Sequence, residues 1–128
     1  VQLGDYVYVN CWSYQNRILK IDTLSDEVVG ELTVGIQPTS LVLDRYNKLW
    51  CVTDGGYLDS PYGYEAPSLY RIGPESLQIE QRFRFELGDA PSEIQLNGTR
   101  DMLYWINDDI WQMSVTAEEV PTKPIIAR

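Results

Sequence analysis

The sequence predicts an all-β protein built from a repeated unit, and three observations support this prediction. Short runs of β-branched and aromatic residues alternate with clusters of Gly, Pro, Asn and Asp, which is typical of strands separated by turns. No window of helix length carries apolar residues with a period of about 3.6 residues. The strand-like runs also recur in the same order along the chain, which is characteristic of a repeat architecture.

The repeat is defined by three sets of matching segments. The segments 35–44 (GIQPTSLVLD) and 88–97 (GDAPSEIQLN) share a glycine, a proline, a hydroxyl residue, two aliphatic residues and a terminal Asp or Asn at the same offsets. One strand-like element appears at 6–10, 49–53 and 103–107, and another at 17–22, 68–73 and 109–114. A unit of four antiparallel strands in about 45 residues is the pattern of a β-propeller blade.

We assign the strands of each blade the letters a to d in chain order. A partial blade b–c–d spans residues 1–35, a complete blade spans 36–88, and a third blade spans 89–128. The predicted strands are b 5–11, c 17–23 and d 27–34; a 39–44, b 48–54, c 68–73 and d 79–87; a 92–97, b 102–107 and c 109–115. Pro121 and Pro124 make the last strand, within 119–127, irregular or an edge strand, since proline cannot donate to a ladder. The predicted fold class is therefore an all-β β-propeller fragment of about two and a half to three four-stranded antiparallel blades.

The second b strand predicts that blades pack against it on both sides. Along this strand Leu49 and Cys51 point one way while Trp50 and Val52 point the other, so both faces are apolar. Blade-on-blade stacking requires this pattern. We therefore expect four aromatic residues to serve as core: Trp50, Tyr104, Trp105 and Trp111.

A fragment of this size would leave two open apolar faces, because a closed ring has about four to eight blades. We expect the missing blades in a longer parent chain, or self-association. In the repeat alignment Cys51 matches Tyr8, so Cys11 lies three residues further on and faces the opposite side of its sheet. We therefore predict no disulfide between Cys11 and Cys51.

Composition narrows the classes of function. The chain has 19 acidic and 10 basic residues and a net charge of −9, which disfavours nucleic acid and acidic membrane surfaces as partners. It contains no histidine, so these residues hold no Ser-His-Asp or Cys-His arrangement and no imidazole metal ligand. No apolar run is long enough for a transmembrane helix. The opening residues show no signal-peptide pattern, so we expect either a removed leader or an internal piece of a longer chain.

The connections at one end of the sheets are the predicted binding surface. In a four-stranded meander the b–c and d–a connections leave from the same end, which we call the loop face. Residues 54–67, the tyrosine insertion, bring three tyrosines to this face, and tyrosine suits recognition of a polar organic ligand. The alternative is a long loop folded on itself with half-buried tyrosines. The candidate ligand-binding residues are Trp12, Tyr14, Gln15, Asn16, Gln37, Asp54, Tyr57, Asp59, Tyr62, Tyr64, Asp89 and Asp108.

Two further motifs favour local structure over chemistry. Asp54-Gly55-Gly56 with Asp59 lacks the spacing of a calcium loop, so we predict no metal site, and nothing in the sequence calls for a cofactor. Asn97-Gly98-Thr99 matches a glycosylation sequon, but its position between two strands favours a hairpin turn.

The repeated segments resemble the YVTN-type, YncE-like β-propellers, most of all the surface-layer propeller lipoproteins of gut Bacteroidetes. The resemblance rests on Tyr8-Val9-Asn10, on the glycine and proline of 35–38, on the segment 49–56 (LWCVTDGG) and on 89–93 (DAPSE). It implies a seven-bladed parent, displayed on the outer membrane as a lipoprotein. Some members of that family capture corrinoids above an outer-membrane cobalamin transporter.

The leading functional hypothesis is a non-enzymatic, cell-surface ligand-binding propeller. The resemblance implies a corrinoid as the ligand, with a glycan as the second choice. The alternative is a protein–protein interaction scaffold that docks a transporter or another partner through the same face. A propeller hydrolase or lactonase comes third, because it would need histidines or a carboxylate-held metal.

Overall fold

A computed structural model of the chain describes residues 1–13 and 15–128. All regular elements within these residues are β-strands. They are β1 Gln2–Leu3, β2 Tyr6–Cys11, β3 Arg17–Asp22, β4 Glu27–Thr33, β5 Pro38–Leu43, β6 Leu49–Thr53, β7 Ser68–Gly73, β8 Gln78–Arg84, β9 Ser92–Leu96, β10 Met102–Asn107 and β11 Asp109–Ser114. None of the described residues belongs to a helix with the length and apolarity needed to cross a membrane.

The strands form three antiparallel sheets, ordered β1-β2-β3-β4, β5-β6-β7-β8 and β11-β10-β9. The ten longer strands overlap the ten predicted ones. The first sheet differs from the prediction of a b–c–d blade, because the two-residue strand β1 pairs with the start of β2. Beyond β11, Ile126 pairs with Ile110 in an isolated bridge.

The middle sheet, β5–β8, is covered on both faces. Leu49 and Cys51 belong to a core cluster shared with Tyr8 and Ile18 of the first sheet. Trp50 and Val52 belong to a second cluster, which they share with β9, β10 and β11 of the third sheet. The predicted division of this strand into two apolar faces is confirmed, and it is the reason that the sheets stack.

The predicted alignment of the first b strand is wrong by one residue. Tyr8 pairs with Lys20 as Trp50 pairs with Arg71, so Tyr8 corresponds to Trp50 and not to Cys51. Tyr8 accordingly faces the middle sheet, where its hydroxyl donates to the Pro74 carbonyl at 3.0 Å. Two apolar faces give no alternation of apolar and polar residues, so the sequence pattern did not specify the register.

The predicted absence of a disulfide is confirmed, since both cysteines are free. The corrected register of β2 changes the reason why Cys11 and Cys51 are not bonded. Cys51 faces the first sheet from the middle one, whereas Cys11 alternates away from Tyr8 onto the outer face of the first sheet. A whole sheet therefore separates the two sulfur atoms.

The recurring Asp or Asn at the end of each a strand closes the a–b turn. The Asp44 side chain is fully buried, and its Oδ1 accepts the N–H groups of Tyr46 at 2.8 Å and Lys48 at 3.0 Å. Its Oδ2 accepts the Trp50 indole N–H at 2.9 Å. In the third sheet Asn97 Oδ1 accepts the N–H groups of Asp101 and Met102, which confirms the turn predicted there.

The two outermost faces of the stack differ in character. The outer face of the first sheet carries Val7, Val9, Leu19, Ile21 and Val28, and the Arg17–Glu31 ion pair lies at one end of this mostly apolar face. The outer face of the third sheet is mixed, and there Gln112 donates to the Tyr104 hydroxyl at 2.9 Å. The prediction of four core aromatics is thus correct for the buried Trp50 and Trp105, while Tyr104 and Trp111 are only half-buried. Tyr104 has no sheet packed over it in this part of the chain.

Candidate functional site

The b–c and d–a connections are linked by hydrogen bonds at the loop face. Val34 and Gln37, which flank the first d–a turn, both donate backbone N–H groups to Asn16, at 2.8 and 3.4 Å. The N–H of Ala90, in the second d–a connection, donates to Asn107 Oδ1 at 3.0 Å. These bonds tie the turns between sheets to the turns within sheets and fix the surface that carries the tyrosine insertion.

Gln37 is the centre of the predicted site. Its backbone has a positive φ of 57°, and its carbonyl accepts the Asp54 N–H at 3.1 Å. With its amide nitrogen turned towards Asp54, the side chain donates to that carboxylate at 2.8 and 3.1 Å. Asn16, Gln37 and Asp54 come from three different connections, and the structure brings them together as the sequence predicted.

Asp54 is the titratable group of this cluster. Burial raises the pKa of its carboxyl above the ordinary value, while the Gly56 N–H that it accepts at 2.8 Å opposes that rise. The carboxylate thus serves first to hold the start of the tyrosine insertion.

The base of the tyrosine insertion is closed by a set of short backbone contacts. The Gly55 N–H donates to the Ile36 carbonyl at 3.0 Å, and the Glu65 N–H donates to the Gly55 carbonyl at 2.8 Å. Glu65 Oε1 in turn accepts the Ile36 N–H at 2.7 Å. Gly55 has a φ of 81°, and a Cβ there would lie 2.0 Å from the Glu65 carbonyl oxygen, so only glycine fits.

The tyrosines of the insertion project from this closed base. Tyr57, Tyr62 and Tyr64 are 57, 53 and 40 % exposed, and Trp12 on the neighbouring loop is 54 % exposed. The loop is folded on itself, as the alternative interpretation expected, and each of its tyrosines keeps between 40 and 57 % of its surface exposed. Rigid support combined with exposed aromatic side chains is the arrangement that suits recognition.

A cleft of about 440 Å³ opens beside Asp54, between the a strands of the second and third sheets. Its lining includes side chains that sequence reasoning missed: Thr39, Ser40, Ser92 and Glu93. Thr39 and Ser92 are the recurring hydroxyl residues of the repeat, so the repeat itself was the signal that could have found them. The cleft adds hydroxyl and carboxylate groups beside the tyrosine insertion.

The other predicted residues have more local roles. Gln15 Oε1 accepts from Arg17 at 2.6 Å, and Asp89 Oδ2 accepts the Glu86 N–H at 2.8 Å within its own turn. Asp59 and Asp108 both adopt positive φ values, of 68° and 57°, as turn residues do. Tyr14 lies outside the described residues.

The loop face combines several kinds of chemical group. It offers aromatic faces, hydroxyl groups, amides and a carboxylate, which bind by stacking and hydrogen bonding. Within residues 1–13 and 15–128, no group of three or more Cys, Asp or Glu side chains is placed to hold a metal ion.

Comparison with known proteins supports the fold alone. No protein-family model matches the chain, and no curated protein matches it. Among solved structures, the chain is similar to the hydrazine synthase of Kuenenia stuttgartiensis, with a TM-score of 0.67 and 16 % sequence identity. The match covers 92 % of this chain and 32 % of the other, so the chain spans about a third of that structure's length. At this identity the likeness supports a β-propeller-like stack of antiparallel sheets.

Proposed function

We propose that this chain is part of a non-enzymatic β-propeller that binds a ligand through its loop face at the cell surface. One observation carries the proposal. The tyrosine insertion is held at its base by the contacts of Gly55, Ile36 and Glu65, yet it leaves three tyrosines exposed. The third sheet makes the same b–c connection with the single residue Asp108, so packing a sheet does not require the insertion.

The proposed ligand is a corrinoid, with a glycan as the second choice. The resemblance to surface-layer propellers supports the corrinoid and the cell-surface, outer-membrane location. The loop face supports a large ligand of mixed polarity, since tyrosines, Trp12 and the cleft beside Asp54 lie at the same end of the sheets. Indole and phenol rings offer flat apolar contact for a macrocycle, and the amides and hydroxyls offer hydrogen bonds to its side chains.

The test removes the exposed rings and measures binding and stability together. Tyr57, Tyr62 and Tyr64 are replaced by alanine in one variant, and cyanocobalamin is titrated into the chain by calorimetry. We expect the melting temperature to change little and binding to weaken more than tenfold, because buried aromatic anchors contribute roughly 2 kcal/mol or more each.

Tyr46→Ala is the matched control. Tyr46 is 56 % exposed, like Tyr57, but lies in the a–b turn at the opposite end of the sheets. It should leave binding unchanged. A triple variant that loses stability while keeping its affinity would show that the tyrosines are structural. If the unaltered chain binds no cyanocobalamin, the corrinoid is the wrong ligand.

A protein–protein scaffold is the second candidate function. Leu58, at the tip of the same insertion, is 71 % exposed, and with Tyr57 beside it the tip presents apolar area suited to a protein partner. In that case Leu58→Asp would abolish capture of an outer-membrane transporter partner, while a small-molecule ligand would bind with unchanged affinity.

A further inference from the structure

A second cleft lies between the second d–a connection and the third sheet, apart from the tyrosine insertion. Its volume is about 280 Å³. That is close to the lower end of the range for small-molecule sites, so it suits a single ring. The cleft is lined by Arg84, Phe85, Glu86, Asp89, Trp105, Asn107, Trp111, Val120 and Pro121.

Three aromatic rings form one wall of the cleft. Trp105 and Trp111 lie nearly parallel, with ring centroids 6.5 Å apart and planes 7° apart. Phe85 meets Trp105 edge-on, with centroids 6.2 Å apart. Val120 and Pro121 of the chain's last segment add apolar surface. This wall suits the apolar face of a ring.

Trp105 also carries a hydrogen-bond donor without an acceptor. The side chain is 98 % buried, and its indole nitrogen has no hydrogen-bond partner among the described residues. The indole of Trp50 donates to Asp44 at 2.9 Å, and that of Trp111 donates to the Asn107 carbonyl at 3.1 Å. A buried N–H group is normally paired, and Trp105 lines the cleft, so an acceptor bound there would pair this N–H if the side chains that cover the nitrogen shift aside.

The polar lining decides what kind of ligand carries that acceptor. Glu86 and Asp89 bring carboxylates that accept hydrogen bonds, and Arg84 brings a guanidinium that donates them. An ammonium group has no acceptor for the Trp105 N–H, although Glu86 and Asp89 would attract its charge and Arg84 would oppose it. A phosphate-bearing ligand would meet two carboxylates and the overall charge of −9. A neutral polyol ring both donates and accepts, and its C–H face packs on aromatic rings.

We propose that this cleft binds one sugar ring, stacked on Phe85 and Trp111, which are the half-buried rings of this wall. Its hydroxyl groups donate to Glu86 and Asp89, and one ring or hydroxyl oxygen accepts from Trp105 once the side chains that cover this nitrogen shift aside. The site goes beyond the function proposed for the tyrosine insertion and does not require it.

The test follows the indole N–H signals of the full chain by nuclear magnetic resonance. Tryptophan is labelled with nitrogen-15, and the four indole signals are assigned with single Trp→Phe variants. Methyl glycosides of glucose, galactose, mannose and N-acetylglucosamine are titrated separately. We expect at least one glycoside to shift the Trp105 signal saturably in the millimolar range.

Glu86→Ala is the variant that tests the lining without disturbing the fold. Glu86 is exposed, and the turn bonds that it makes with Asp89 use its backbone, which alanine preserves. We expect affinity for the glycoside to fall about tenfold. Glu27→Ala, an exposed carboxylate on the first sheet, should leave the affinity unchanged.

Three results would overturn the proposal: no glycoside shifts the Trp105 signal, Glu86→Ala binds as well as the unaltered chain, or adenosine or choline binds the cleft more tightly than any glycoside. The triple tyrosine variant separates this site from the one proposed above. It should bind the glycoside with full affinity, and loss of glycoside binding there would place the sugar at the insertion instead.

Discussion

Replacing Gly55 by alanine should open the base of the tyrosine insertion. Gly55 has a φ of 81°, and an added Cβ would lie 2.0 Å from the Glu65 carbonyl oxygen and 3.2 Å from the Pro67 nitrogen. Both contacts are with backbone, so no side chain can turn away to make room. The chain must shift, and the hydrogen bonds from Gly55 to Ile36 and from Glu65 to Gly55 lie on either side of the clash.

Gly88→Ala provides the reference for the backbone term. Gly88 also lies in the left-handed region, with a φ of 101°, but a Cβ there would meet nothing within 4 Å. Its substitution should cost only the strain of that conformation, about 1–2 kcal/mol. Gly55→Ala adds the loss of two hydrogen bonds at about 1 kcal/mol each, so its total should be about 3–4 kcal/mol.

Urea unfolding of the two variants and the unaltered chain gives these free energies. Limited chymotrypsin digestion reports the local effect, because the tyrosines of the insertion should be cut faster in Gly55→Ala and at an unchanged rate in Gly88→Ala. If the two variants lose the same free energy within about 0.5 kcal/mol, the closed base described above is wrong.

Four further predictions concern the core, the thiols and the open face. Asp44→Asn should lower the free energy of unfolding by about 3 kcal/mol, because an amide whose oxygen accepts the turn N–H groups turns its own NH₂ donor towards the Trp50 indole N–H. The loss should be smaller in a Trp50→Phe background, and an equal loss in both backgrounds would contradict the assigned bond. Burial raises the pKa of the Cys51 thiol from 9.0 to about 12, so folding stability should fall as pH rises from about 9 towards 12. Cys51→Ala should make that fall less steep, while the buried hydroxyls of Tyr8 and Tyr70, whose pKa values burial also raises, keep part of it. In the native protein at neutral pH, Cys11 should react with Ellman's reagent and Cys51 only after unfolding; equal rates would contradict the placement of Cys51 in the core. The apolar outer face of the first sheet should make the isolated chain self-associate, and sedimentation that finds a monomer at all concentrations would refute the prediction that this face is covered in the native assembly.

The order of the strands could be predicted because each strand is marked by the residue types of its own short segment. β-branched and aromatic runs between glycine, proline and asparagine clusters mark strands and turns within a few residues of one another. The segments that begin at Gly35 and Gly88 then showed that the pattern repeats. The two-residue strand β1 pairs with β2 across the local turn Gly4-Asp5, and it was missed because two residues are too few to show a strand pattern.

The candidate site was predicted in part. Loop positions follow from strand order, so the sequence placed Asn16, Gln37 and Asp54 on one face before any distance was known. Which polar groups face each other depends on backbone turns such as the positive φ of Gln37, and those turns are set by neighbouring chains. Residue type alone also assigned Trp105 to the core, and only its surroundings revealed a buried, unpaired N–H on a side chain that lines a cleft.

The sequence by itself determined the all-β class, the repeated four-stranded unit and the two apolar faces of β6, since these depend on the alternation and recurrence of residues close together in the chain. The tertiary structure decided the register of β2, the separation of the two cysteines and the exposure of Tyr57, Tyr62 and Tyr64. The first two depend on how strands and sheets pack side by side, and the third on how the insertion closes over its own base. Packing between residues far apart in the chain leaves no period in the sequence, and a strand with two apolar faces fits its neighbours in more than one register until the sheets meet.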